Sequence, residues 1–294
     1  MADDDKIRIR FALPARELAP FVTTYYYTGC NIGEGEWIED FLHPEWANLR
    51  FISAGQSSHA FGDGQLEQTP YFAATGPTSL ATRFRLSSGR SWGIGLLPLG
   101  WAKFVEAAAS DHADRAVDGM IDTAFAALAP LGEALAASTG HFEDDLDLIE
   151  QHLKALLARP CRDAAAITAV NGALVDSNIA TVAELAEHSG IQVRSLERLS
   201  RRAFGFPPKL LLRRQRFIRS LAQFMLDPSL KWLSAIDCQY HDQAHFVRDF
   251  RRFMGMSPSE YGRLDHPFLR AAARGRQEIA GEAMQALHVP ARAG

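Results

Sequence analysis

Arg194, Arg198 and Arg201 stand four and three residues apart, so on a helix they share one face. A guanidinium is planar and permanently charged, and its fork matches guanine O6 and N7 in a major groove as well as phosphate oxygens. Glu197 lies within the same stretch and offers the acceptor that cytosine N4 needs. Gln192 and Ser195 open the stretch, and Arg202 lies beside the arginine row. An ordinary solvated face with a Glu197–Arg201 ion pair explains these residues at least as well while they are considered alone. A second copy of the layout tips the balance. Downstream, Phe246, Phe250 and Phe253 recur at helical spacing, leaving Gln243, Ala244, His245, Arg248, Arg251 and Arg252 outward or at the exposed start.

Other chemistry is poorly supplied. His43, His59 and His112 are isolated, and no HxH with a following Glu occurs. His241 and His245 have the i, i+4 spacing of a metal pair but no third ligand nearby. Cys30, Cys161 and Cys238 are scattered, without a CxxC pair, which argues against a structural zinc or a disulfide framework and suits a reducing cytoplasm. Gly93-Ile94-Gly95 lacks the third glycine and the helix start of a dinucleotide site. No catalytic residue, metal or cofactor is therefore expected.

The elements that would position the two arginine-bearing stretches are legible. Thr181-Val182-Ala183-Glu184 has the pattern of a capping box, with Val182, Leu185 and Ala186 as the buried face behind it. Gly190 sits where a helix needs a left-handed exit. The next helix, from about Gln192, buries Val193, Leu196, Leu199 and Ala203. In the second unit a helix is expected over 229–236, a turn over 238–241, and Asp242 as the cap of the helix that follows. Between the units a helix from Pro207-Pro208 to Met225 carries Leu210, Phe217, Leu221 and Phe224, and Asp227-Pro228 ends it. Arg213 and Arg216 on this connecting helix are expected to contribute little to base preference. The helix would hold both recognition helices on one frame, and successive major grooves on one face of a duplex recur about 34 Å apart.

Charge divides the chain in the same way. Residues 1–175 hold 13 Lys and Arg against 23 Asp and Glu, residues 176–265 hold 14 against 10, and the rest holds 4 against 2. A basic block on an acidic remainder fits one part that meets a polyanion and one that does not. The first hundred residues read as short strands, 21–27, 48–52 and 82–86 among them, separated by turns at 29–31, 62–64 and 87–89. From about Leu99 the pattern becomes helical, over 101–109 and 121–137. Phe142, Leu146, Ile149, Leu153 and Leu156 then form a seam of coiled-coil type, which could pair with its twin or pack inside one subunit. No secretory signal or membrane-spanning run is evident, and a cytoplasmic protein is expected.

Residues 165–265 resemble the DNA-binding domain of the AraC/XylS family of transcriptional regulators. Ser189-Gly190-Ile191, Leu196-Glu197-Arg198 and Phe204-Gly205-Phe206-Pro207-Pro208-Lys209 carry the likeness. So do 240–246, Arg248-Asp249-Phe250 and 255–261. The resemblance implies base-facing roles for Arg194, Glu197 and Arg198, then for Gln243, Ala244, His245 and Arg248. Gln239 departs from it, occupying a place usually given to glycine. A left-handed exit there would cost about 1 kcal/mol or more. Ala244 offers at most an apolar contact, so the first unit is expected to read bases more strongly. More loosely, residues 10–115, through 76–78 and 93–98, resemble the cupin-like sensor domains of such regulators.

The implied fold class is α+β. A cupin-like β-rich domain occupies 1–115, and a helical linker or dimerisation segment 116–162. The double helix-turn-helix domain covers 163–265, and an Ala-rich tail covers 266–294. The expected partners are double-stranded DNA, a second copy of the chain, a small-molecule effector and RNA polymerase, with activation of transcription. Phe21, Tyr25–Tyr27, Trp37, Phe51, Phe61, Tyr71, Phe72 and Trp92 either line an effector pocket or fill the barrel. An architectural nucleic-acid binder is the alternative, and a cupin-type enzyme fused to a DNA-binding module is another.

Overall fold

Alternation along the early strands determines how they pack. In the computed structural model, which describes residues 6–226, 236–237 and 239–289, β2 (Val22–Cys30) carries Tyr25 and Tyr26 on opposite faces. β4 (Asn48–Ala54) does the same with Phe51 and Arg50, and β7 (Phe72–Thr75) with Phe72 and Ala73. Together with β1 (Ile7–Ala12), β9 (Gly89–Leu96) and β10 (Ala116–Asp118) these strands form a six-stranded antiparallel sheet, ordered β1-β2-β9-β4-β7-β10. A four-stranded sheet ordered β3-β8-β5-β6 faces it, built from Ile38–Leu42, Thr82–Leu86, Ser57–Phe61 and Glu67–Gln68.

The outer face of the large sheet, with Tyr25, Phe51, Phe72 and Trp92, is covered by α2 (Ala129–Ala137) and α3 (Phe142–Ala155). Ile149 and Leu153 of α3 are fully buried in this cluster. The Trp92 indole donates to the buried Asp145 of α3 at 2.7 Å. The 142–156 seam therefore packs inside its own subunit. Of the aromatic residues named above, Tyr26 and Phe61 border the cavity between the sheets. Tyr25, Phe51, Phe72 and Trp92 are core, and Trp37 is at the surface.

Local readings also change. Gly29 and Cys30 continue strand β2, because both pair with β1 and β9, so no turn forms there. The stretch 101–109 holds only the end of α1 (Pro98–Phe104), and 121–137 splits into a 3-10 turn at Thr123–Phe125 and α2. β10 lies inside the stretch expected to begin the linker. Gly93 and Gly95 are explained by packing: a Cβ on Gly93 would lie 1.9 Å from the Tyr26 ring, and one on Gly95 2.4 Å from the Thr23 hydroxyl.

The C-terminal part consists of α4 (Ala164–Val175), α5 (Val182–His188), α6 (Val193–Phe204), α7 (Pro208–Leu226), α8 (Gln243–Met254) and the short α9 (Pro258–Tyr261). The helix expected over 229–236, the stop at 227–228 and Cys238 fall almost wholly outside the described residues. The tail then returns to the sheets as α10 (Pro267–Ala280) and a 3-10 turn at Gln285–Leu287. Asp40 of β3 binds His266 Nδ1 at 2.8 Å and accepts the Leu269 amide at 3.0 Å. Arg214 of α7 is fully buried against the sheet domain. Its guanidinium lies 3.9 Å from the Trp46 ring centre and donates to the Thr78 and Glu45 carbonyls.

Candidate nucleic-acid interface

α5 begins at a complete capping box. The Glu184 amide donates to Thr181 Oγ1 at 3.2 Å, and the Thr181 amide donates to Glu184 Oε2 at 3.0 Å. Four backbone donors at a helix start lack partners within the helix, and this arrangement satisfies one while orienting the entry. Gly190 follows with φ +66°, the left-handed exit that lets the chain turn into α6. Leu196, Leu199, Ala203 and Phe204 are buried, and Phe204 meets the Trp46 ring edge-on at 5.7 Å. Beyond the helix, a Cβ on Gly205 would lie 2.6 Å from Pro77, so the end of α6 is seated on the sheet domain.

The opposite face is free. Gln192, Arg194, Arg198 and Arg201 are exposed, while Ser195 and Glu197 are half-buried. Arg202 is turned aside into an ion pair with Asp163 at the start of α4. Val193, expected to face inward, is half exposed at 47%.

In the second unit Asp242 Oδ1 accepts the His245 amide at 2.6 Å and caps α8. Phe246, Phe250 and Phe253 are buried, and Gln243, Ala244, Arg248, Arg251 and Arg252 are exposed. His245 is half-buried instead. Its Nε2 lies 3.2 Å from Arg216 Nη2, and its ring meets Tyr240 edge-on. Burial, then the Arg216 charge, lowers its pKa, so the ring is neutral and Nε2 accepts from the guanidinium. The turn that Gln239 was expected to strain includes Cys238, which lies outside the described residues. Gln239 accepts from Arg219 at 3.1 Å, and its amide donates to Asp237 at 2.9 Å.

The orientation of α8 depends on a buried carboxylate and a row of arginines from α7. Asp249, on its inner side, has a fully buried side chain that takes ion pairs from Arg213 and Arg216 of α7. Tyr240 donates to the same carboxylate at 3.2 Å, and Arg216 stacks over the Tyr240 ring at 4.4 Å. Arg219 completes the row through an ion pair with Asp237 at 2.5 Å. Arg213, Arg216 and Arg219 recur every three residues along α7, a spacing that keeps them on one side of the helix.

His43 and His59 are hydrogen-bonded to Tyr261 and Thr69, and His112 to Asp122. No group of three His, Cys, Asp or Glu among the described residues could hold a metal ion. No described helix is long and apolar enough to cross a membrane.

Residues 185–263 match the family model described as a helix-turn-helix domain. No curated protein matches the chain. Among solved structures, ToxT from Vibrio cholerae is similar over 87% of this chain and 98% of its own, at 12% identity and a TM-score of 0.42. A second ToxT structure, bound to (E)-4-(8-methylnaphthalen-1-yl)but-3-enoic acid, covers the same shares at 11% identity and a TM-score of 0.41. The AraC-like transcriptional activator CuxR covers 74% of this chain and 88% of its own, at 13% identity and a TM-score of 0.28.

Proposed function

We infer that this chain is a regulator of the AraC type, from the helix-turn-helix match over residues 185–263 and the AraC/XylS-like motifs within residues 165–265. The protein is a DNA-binding transcriptional regulator, and α6 and α8 are its two recognition helices. The observation that carries the assignment is the pair of exposed polar faces, Gln192, Arg194, Arg198 and Arg201 on one helix and Gln243, Arg248, Arg251 and Arg252 on the other. α7 separates them with 19 residues, about 28 Å at 1.5 Å per residue. That length supports reading two successive major grooves of one duplex, about 34 Å apart, rather than one groove twice. Side chains near the start of each helix reach base edges, and the arginines further along meet phosphate. His245, engaged with Arg216, is the weakest member of the set. The first unit has the richer donor set, which supports its dominance in base readout.

The regulator is effector-responsive in this reading. The cavity between the two sheets, closed by the tail that follows the DNA-binding module, supports it.

Selection of bound duplexes from a random pool, followed by footprinting of the winning sequence, tests the assignment. Two conserved half-sites about one helical turn apart are expected, the one read by α6 being the better defined. A pool that stays random while binding remains tight would make the protein an architectural binder instead.

A further inference from the structure

A second cavity, of about 260 Å³, lies on the other face of the large sheet, under α2 and α3. Tyr27, Phe51, Tyr71 and Trp92 line it together with Leu135 of α2. Asp145 of α3 lines it too and is only 3% exposed. Its carboxylate accepts from the Trp92 indole at 2.7 Å and from the Ser138 hydroxyl. An ionised carboxylate has about four acceptor positions, so two donors leave it incompletely satisfied. Asp145 forms no ion pair among the described residues, although a buried charge without a counter-charge is costly. Its place in the first turn of α3 turns helix amides toward it, which amounts to at most about half a unit charge. Burial, then the Asp145 charge, pushes the Tyr71 hydroxyl up to about 12, so the carboxylate is felt across the cavity. Arg90 stands exposed at the mouth beside Gly140.

We propose that this second cavity binds a small primary amine as its ammonium ion, the cation held by Asp145 and an apolar body lying against Phe51, Tyr71 and Leu135. An ammonium brings the missing counter-charge and three donors for the open acceptor positions of the carboxylate. Aromatic rings beside a cation hold it further through their electron-rich faces. An acid fits badly, because it would set a second negative charge against Asp145 in a nearly dry site. The site is separate from the cavity between the sheets, so it stands or falls independently of the effector reading given above. An occupant would touch α2, α3 and the strands β2, β4 and β9 at once. α3 leads through residues 156–163 into α4, so the ligand bears on the segment that enters the DNA-binding module.

Calorimetric titration and thermal unfolding of the full chain test this, with benzylamine, cyclohexylmethylamine and the corresponding alcohols as probes. The alcohols keep the shape and lose the charge. At about five times its Kd an amine is expected to raise the melting temperature by about 2–4 °C, and the alcohols to leave it unchanged. Asp145→Asn keeps an oxygen for the Trp92 indole and should weaken amine binding on the order of tenfold or more. Arg90→Gln removes a like charge from the mouth and should strengthen amine binding on the order of twofold. It also leaves the buried groups in place, so it decides the matter if Asp145→Asn does not fold. Equal binding of amine and alcohol overturns the cation site, and so does an amine affinity that survives Asp145→Asn. Phenylglycine, which adds a carboxylate to benzylamine, separates a zwitterion site from an amine site. If it binds more tightly than benzylamine and Arg90→Gln weakens both, the amine assignment is overturned. If neither amine binds, the proposal fails.

Discussion

A side chain's partners decide what it can offer to DNA. Arg198 is exposed and forms no ion pair among the described residues, so it can present both arms of its fork to a guanine. Arg198→Ala is expected to cost about 1–3 kcal/mol on the selected sequence and to relax preference at one position, measured by fluorescence anisotropy across single-base variants. Arg202 already pairs with Asp163, and its replacement should leave base preference intact. His43 yields a prediction of another kind. Burial, reinforced by the His266 charge, pushes its pKa down to about 3, and it stays neutral against the Tyr261 hydroxyl at 2.6 Å. The unfolded chain takes up this proton near 6.5 and the folded chain resists it to about 3. Stability from this group is therefore whole above about pH 6.5 and declines as pH falls, by up to about 1.4 kcal/mol per pH unit. Urea unfolding at about pH 7.5 and about pH 5.5 should show the loss in wild type and a smaller one in His43→Gln. Equal slopes would remove His43 from the account.

Among the helices, α8 is held differently from α6. The sheet domain buttresses α6 through Gly205 and Phe204, whereas α8 is clamped by Arg213 and Arg216 on the buried Asp249. Removing one partner of a buried ion pair typically costs about 3–5 kcal/mol. Asp249→Ala should fall near the lower end, because Arg213 is a third exposed and can turn to solvent. The expected result is a lower urea midpoint together with loss of the footprint over the α8 half-site, the α6 half-site persisting. Arg216→Ala should show the same footprint defect in milder form. Those outcomes would make the connecting helix an indirect contributor to base readout, whereas unchanged footprints would bear out the expectation that Arg213 and Arg216 contribute little. A footprint weakened evenly over both halves would argue against this division of labour.

For the molecule as a whole, the question is which surfaces face a partner and which face the chain itself. Ile149 and Leu153 lie at 0% exposure against the sheet core, so the coiled-coil seam is not a free pairing surface. Ile149→Glu with Leu153→Glu would place two carboxylates in that core, where an uncompensated charge costs several kcal/mol. The double variant should lose sheet structure by circular dichroism and aggregate. A folded variant whose sedimentation shifts from dimer to monomer would overturn the intrasubunit assignment. The tail adds to the same picture: Asp40, His266 and Leu269 bind α10 to β3, and Gln215 of α7 donates to the Ala286 carbonyl at 2.7 Å. The residues after the DNA-binding module therefore join its central helix to the sheets.

Local patterns determined much of this protein without any structure. The Thr181–Glu184 box, the Gly190 exit, the Asp242 cap and the phenylalanine spacing of α8 each depend on residues within a few positions of one another, where helix geometry alone dictates who meets whom. The arginine faces of α6 and α8 follow from the same 3.6-residue period. Tertiary structure decided whatever depends on partners far apart in sequence. The seam of α3 has the same pattern whether it pairs with a twin or with Trp92, and only the sheet's position chooses between them. An Asp at 249 amid arginines reads as a surface residue until α7 lies against it, and His245 reads as exposed until Arg216 reaches it. The cavity brings together Arg50 and Arg276, 226 positions apart in the chain. Nothing in the local chemistry of an Ala-rich tail marks it as the lid of that cavity, because the apolar wall it covers is built by strands from the other end of the chain.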